Sequence, residues 1–237
     1  MTSNLISSNS NETIADTSAT QKAYQAIRRM IVVGELQPGE KLKIERLKST
    51  LDIGASPIRE ALSLLTSDQL VERIDQRGFR AAAASRENFE EILLLRCSLE
   101  DMALRQSISN ATNDWEENLI LCHHRMVRGL REKNDSFEQS HKAFHTALLA
   151  NCGSSILLKF CSQLYDLNVR YRNLAGQSQN YPMRDVSDEH EGILQAALAR
   201  DVEKTSKCLL KHYRQTGAFL VGQFSGLAAN QISSKEA

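Results

Sequence analysis

Two short helical patterns stand back to back in Ile44-Glu45-Arg46-Leu47-Lys48-Ser49-Thr50-Leu51-Asp52-Ile53-Gly54-Ala55-Ser56-Pro57-Ile58-Arg59-Glu60-Ala61-Leu62-Ser63-Leu64-Leu65. The first, Ile44 to Leu51, breaks at Asp52-Ile53-Gly54, and the second opens at Ser56-Pro57. Ser56 is placed to accept the unpaired N–H groups of a first turn, and Pro57 falls where a missing N–H costs nothing. Glu60 suits the positive end of the helix dipole. Ile58, Ala61, Leu62 and Leu65 recur at three- and four-residue steps, which buries one face and leaves Arg59 on the other. Upstream, Ala23 to Val32 is amphipathic and ends at Gly34, and Leu36-Gln37-Pro38-Gly39-Glu40 turns the chain. Downstream, Leu70-Val71-Glu72-Arg73-Ile74 and Gly78-Phe79-Arg80-Ala81-Ala82 flank a polar tip as the strands of a hairpin do. Helix, helix, turn, helix and hairpin, in that order, form a winged helix-turn-helix, a unit that reads DNA.

In such a unit the helix opening at Ser56 enters the major groove. Ser56 and Arg59 are therefore the candidate contacts to base edges or phosphates, and Arg28, Arg46, Arg77 and Arg80 are candidate phosphate ligands. Any one of these charges, taken alone, reads first as an ordinary solvated residue; the ordered set of elements does not. The 237 residues carry 29 Lys and Arg against 29 Asp and Glu, so the whole chain has no basic excess. Residues 21–84 hold eleven basic against eight acidic residues, while 1–20 and 85–237 are slightly acidic. The small surplus lies in the DNA-reading unit.

After Ala84 the pattern is helical throughout. Ser85 caps a long helix to about Ser107, Thr112 one to about Lys133, and Asp135 or Ser136 one that ends near Cys152-Gly153. Further helices span about 155–174, 185–199 and 201–221. The expected architecture is mainly α: a polar, disordered arm (1–20), the winged unit (21–84), a six- to seven-helix bundle (85–222) and a tail (223–237). Five scattered cysteines without a C-x-x-C pair read as buried thiols of a cytoplasmic protein, with a redox-sensing thiol as the alternative. No apolar run reaches the roughly 18 residues a membrane span needs.

His141 and His145 are four apart on one helix, and His190 and His212 lie on two others. Side chains converging from separate helices are how bundles build metal sites, and neutral imidazoles suit zinc, nickel, copper or iron. A histidine pair at this spacing is also what a satisfied core or a surface presents, so spacing alone leaves both readings open. A metal-dependent enzyme acting on a small carboxylic acid is the alternative function, although no HExxH or phosphate-binding glycine loop is present.

Gly34-x-Leu36-x-Pro38-Gly39-Glu40-x-Leu42, then Ser56-Pro57-Ile58-Arg59-Glu60-Ala61-Leu62 and Gly78, resemble the GntR family of bacterial transcription regulators. Arg96-x-x-x-Glu100, Phe144-His145, Glu189-His190 and His212 resemble its FadR-type group, whose C-terminal half is the helical FCD domain. The similarity covers about residues 21–222. It implies a homodimer on a palindromic operator, a repressor regulated by a small carboxylic acid, a dicarboxylate such as glutarate, held with or without a divalent metal, zinc or nickel. Three metal histidines carry over onto His145, His190 and His212. The family's fourth ligand is an Asp where this chain has His141, and its usual Ser-Arg before the recognition helix is Gly54-Ala55 here. Arg96, on the core-facing side of the first bundle helix, is the expected effector arginine, with Arg170 and Arg172 next.

Overall fold

The computed structural model describes residues 18–132, 137–176 and 186–233. Along them run α1 (Ala19–Val32), β1 (Lys41–Leu42), α2 (Ile44–Leu51), α3 (Ala55–Ser67), β2 (Val71–Ile74) and β3 (Gly78–Ala81). Six helices follow: α4 (Arg86–Ser109), α5 (Asn113–Glu132), α6 (Phe137–Leu149), α7 (Ser155–Gly176), α8 (Val186–Leu198) and α9 (Val202–Ser233). The expected winged unit followed by helices is present, and no described helix is long and apolar enough to cross a membrane.

Local chemistry moves several expected boundaries. α1 begins at Ala19 because the Ser18 hydroxyl accepts from the Gln21 N–H at 3.2 Å. Ala19 and Thr20 are thus helical rather than part of an arm; residues 1–17 lie outside the description. α3 also starts early. Gly54 stays extended and is its N-cap, with no side-chain cap bond, so Ser56 sits inside the first turn and does not cap it. At the far end, α9 continues to Ser233, so residues 223–233 are helical rather than a tail. The expected cap at Asp135 or Ser136 lies outside the described residues.

The Pro38-Gly39 turn does more than reverse the chain. Gly39 takes φ +76°, a left-handed conformation that glycine adopts without steric cost, and Glu40 N–H closes the turn onto Gln37 O at 3.0 Å. Gly39 N–H then donates to Ala81 O, and Ala81 N–H to Glu40 O. This zips Lys41–Leu42 onto the hairpin as a third strand in the order β1-β3-β2, with Lys41 opposite Arg80.

Two apolar cores result. The first joins Ile27 and Ile31 of α1 to Leu47, Ile58, Leu62 and Leu65 of the DNA-reading helices, and continues into Phe89, Leu164, Leu167, Tyr171 and Leu220. The second fills the helical half around Leu104, Trp115, Leu119, Phe144, Leu148 and Ile193. The winged unit is therefore seated on α7, α4 and α9 by shared apolar burial, not merely tethered by the short Ala82–Ser85 link.

Candidate functional site

The free face of α3 carries Ser56 and Arg59, both exposed. Arg59 has no ion-pair partner among the described residues. Gly54 contributes no side chain to the first turn, so the N–H groups that open α3 point outward uncapped, an arrangement that suits an anion. Arg46 is exposed and pairs with Glu40 at 2.8 Å. Arg80 pairs with Glu72 at 2.5 Å across the wing. Arg77 is exposed at the wing tip, where Gln76 (φ +57°) and Gly78 (φ +92°) make the bend.

Arg28 does not join this face. It is largely covered and ion-pairs with Asp166 of α7, a residue 138 positions away that no local pattern points to. This pair helps hold α1 on the bundle.

In the helical half, α6, α8 and α9 bring His141, His145, His190 and His212 together, all buried, with one ligand atom from each within 4.8 Å of the others. His190 Nε2 lies 3.1 Å from His141 Nε2 and 3.2 Å from His145 Nε2. The opposite ring nitrogens have partners. His141 Nδ1 meets Tyr165 OH at 2.6 Å, His145 Nδ1 meets Tyr213 OH at 3.0 Å, and His212 Nδ1 meets Glu189 Oε2 at 2.7 Å. Tyr165 gives its only hydroxyl proton to Glu138 at 2.8 Å, and Tyr213 gives its own to Glu100. Each phenol oxygen can therefore only accept from its imidazole, which puts the proton of His141 and of His145 on Nδ1; the Glu189 carboxylate does the same for His212.

The Nε2 lone pairs consequently face one another. A single N–H on His190 Nε2 would serve at most one of its two nitrogen neighbours, so hydrogen bonding alone leaves the cluster unsatisfied. A cation would satisfy it: zinc held at about 2.0–2.1 Å from each nitrogen would need ligand separations of roughly 3.3 Å, close to the two that His190 makes. Burial, reinforced by neighbouring cations, holds His141 and His145 well below the ordinary histidine pKa, so both are neutral, as metal ligands must be. Burial likewise pushes Tyr165 and Tyr213 well above 10, keeping their hydroxyl protons in place. Hydroxyl and carboxylate groups that orient metal-binding imidazoles in this way also raise their basicity.

A cavity of about 330 Å³ opens beside the cluster, bounded by Arg96, His141, Asn168, Arg172, Asn173 and His212 among others. The Arg96 guanidinium lies 4.0 Å from the Tyr213 ring centroid and 4.9 Å from that of Tyr165. Its Nε donates to Glu100 at 2.6 Å, while its buried Nη2 has no partner. Arg172 ion-pairs with Glu138. A larger, open depression of about 620 Å³ runs along α9 past Lys207 and Lys211 but includes none of the four histidines.

Arg170 departs from expectation. Fully buried, it donates through Nη2 to Ala82 O at the end of the wing and does not line the cavity. Sequence reasoning did not find Tyr165, Glu138 or Asn173, whose roles depend on tertiary placement. Glu189 and Tyr213 carried a signal, since each is adjacent to a cluster histidine. All five cysteines are free, four of them buried.

Residues 19–80 match the family described as bacterial regulatory proteins, gntR family, and residues 91–215 match the FCD domain. The chain is 36% identical over 214 residues to the HTH-type transcriptional regulator BphR of Paraburkholderia xenovorans LB400, covering 87% of this chain and 86% of that one. It is 32% identical over 197 residues to the HTH-type transcriptional repressor GlaR of Escherichia coli K12, covering 80% and 90%. Its fold is similar to that of E. coli McbR/YncC, with a TM-score of 0.76 at 23% identity over 87% of this chain and 99% of that one. The matched family and the two sequence relatives are described as transcription regulators, which sets aside the enzyme alternative. The chain belongs to the GntR family of bacterial transcription regulators, in the group that joins a DNA-binding winged helix-turn-helix to an FCD domain.

Proposed function

We propose that this chain is a cytoplasmic repressor whose hold on a palindromic operator is weakened by a small dicarboxylic acid bound beside a divalent metal in the helical half. The observation that carries this reading is the convergence of four buried imidazoles beside a cavity that Arg96, with its unpartnered Nη2, also lines. A buried guanidinium N–H without an acceptor carries a desolvation cost, and an acid carboxylate at that point removes it through a charge-assisted bond. Arg172, on the same cavity, takes the second carboxylate in competition with Glu138. Such a volume suits a compact acid.

His141, His145, His190 and His212 would hold the metal, and an all-nitrogen set of neutral donors favours zinc or nickel over magnesium or calcium. When bound, the metal supplies positive charge that draws the acid. His141, standing where the family usually has Asp, removes a negative charge from the site and strengthens that attraction.

Residues 19–84 read the DNA, and residues 85–222 sense the acid and form a homodimer. Exposed Leu94, Leu95 and Met102 give α4 an apolar strip that suits a second copy. Two recognition helices about 34 Å apart reach successive major grooves. Arg59 contacts a base edge or phosphate. Ser56 and the uncapped N–H groups of α3 take a phosphate, as do Arg46, Arg77 and Arg80.

The test is a fluorescence-anisotropy titration against the chain's own upstream intergenic DNA at two salt concentrations, with and without C2 to C6 mono- and dicarboxylates. Salt-sensitive binding that one diacid weakens is the expected result. No preference over random DNA would sink the operator reading, and operator binding that no acid alters would sink the effector reading.

A further inference from the structure

Helix α7 carries two polar rows, and they face different parts of the molecule. Tyr165, Asn168 and Arg172, spaced by three and four residues, face the histidine cluster and the cavity. Gln163, Asp166, Arg170 and Asn173, at the same spacing one position round, face the winged unit. Gln163 donates to Ser67 O at the end of α3 (3.3 Å), and Asp166 binds Arg28 of α1. Arg170 donates to Ala82 O after β3, and Asn173 Nδ2 donates to Val32 O, the last carbonyl of α1, at 2.8 Å. Between them, Tyr171 accepts the Ser85 N–H at 3.2 Å and donates to Asn88 Oδ1 at 2.7 Å. Asn173 is the one residue of these rows that both lines the cavity and holds the winged unit.

We infer that the Arg170–Asn173 turn of α7 transmits effector occupancy to the DNA-reading unit, with Asn173 as the residue at which the two sites meet. This rests on the reading of the cavity as the effector site. An acid carboxylate engaging Arg172 draws on the same helical turn whose neighbours grip Val32 O and Ala82 O. Those two carbonyls lie at the end of the first helix and just after the last strand of the winged unit, α1 and β3. α1 is packed on α3 through Ile27, Ile31, Ile58 and Leu62, so a shift of α1 carries the recognition helix with it. The grip also carries a cost of its own. Arg170 is buried with its Nε unpartnered, so the docked state bears a cost that undocking relieves. Asp166 adds a parallel link, because it also accepts from Lys142 of α6 at 2.6 Å, the residue next to His141.

The test measures operator affinity of the full-length, zinc-loaded protein with and without saturating glutarate, for wild type, Asn173→Ala and Arg170→Met. The ratio at saturation does not depend on acid affinity, so a merely weakened cavity cannot mimic lost transmission. Wild type is expected to show a ratio of about 5- to 150-fold. Both variants are expected to lower that ratio by about 2- to 30-fold while still binding DNA and acid. Hydrogen exchange gives a readout that needs no variant to fold: glutarate should change protection of the wild-type amides at 32–36 and 82–85. Wild-type ratios in both folded variants, or unchanged exchange at those amides despite a wild-type ratio above one, would overturn the inference. A wild-type ratio of one with glutarate and every other C4 to C6 diacid would instead overturn the effector reading itself.

Discussion

The DNA-reading surface and the histidine cluster are built on opposite principles. On the first, Arg46, Arg59, Arg77 and Arg80 stand in solvent, each on its own stem, held at most by one exposed carboxylate. Such pairs are worth about 0–1 kcal/mol, so these side chains are free to exchange a carboxylate for a phosphate. In the cluster the four imidazoles, the two phenols and Glu100 are buried, Glu138 and Glu189 are half-buried at its rim, and each proton position fixes the next: Glu138 to Tyr165 to His141, Glu100 to Tyr213 to His145, Glu189 to His212. Surface chemistry of the first kind should respond to substitution residue by residue, whereas a buried network should respond as a unit.

The largest effect expected is on the network. His190→Ala removes the imidazole that touches both His141 and His145 and should lower zinc affinity by more than about 100-fold, the upper end of what a supporting residue alone is worth. Competition with a chromophoric chelator measures it. His145→Ala should cost about as much, and the double variant little more. Additive losses across the pair would show that the cluster imidazoles act one by one, as the surface arginines do.

One step out, Tyr213→Phe removes the hydroxyl that fixes the proton of His145 and bonds Glu100, leaving ring packing against Arg96 intact. Zinc affinity should fall by about 10- to 100-fold, with operator affinity in the absence of acid unchanged. An unaltered zinc affinity would mean that the imidazole is oriented by packing alone.

Those outer partners mark where sequence reading stopped. The winged unit was legible because its signals are local: Pro38-Gly39, Ser56-Pro57, the apolar step of α3 and Gly78 all act within a few residues. β1 was not, since two residues cannot show a period. The four histidines could be nominated by helical spacing and by resemblance, but spacing is silent on which way Nδ1 turns. Arg170 and Arg172 illustrate the limit most sharply. Two residues apart on one helix, they point to opposite sides, one into the wing junction and one into the cavity. The ion pair of Arg28 was illegible for the same reason, since its partner Asp166 lies on a helix that only the folded chain brings near.

On the surface, Arg59→Ala should weaken operator binding by about 1–3 kcal/mol and, if the contact is to a base, flatten preference at one position of each half-site. Zinc affinity should stay at the wild-type value. Anisotropy against a set of single-base operator variants separates a base contact, with its positional signature, from a phosphate contact. A loss below about 0.5 kcal/mol would remove Arg59 from the interface.

The smallest expected effect is a gain. Glu72 Oε2 accepts from Arg80 at 2.7 Å, and Glu72 Oε1 accepts the Ala83 N–H at 3.1 Å. The backbone N–H first, and Arg80 second, hold the Glu72 carboxyl below its ordinary pKa, so it remains charged and competes with DNA for Arg80. Glu72→Gln keeps an acceptor for Ala83 but releases the arginine. Operator affinity should rise by no more than about 1 kcal/mol, the ceiling for an exposed pair. The slope of log affinity against log salt should steepen by no more than about 0.9, the contribution of one fully formed phosphate contact. A salt series run with and without glutarate reads both quantities, and equal gains in each would show that the wing arginines act apart from the cavity even though Glu72 lies beside Arg170 of the α7 grip. A gain confined to the acid-free protein would show that the wing arginines are coupled to the cavity after all, and the division between a surface that adds and a core that acts together would have to be redrawn.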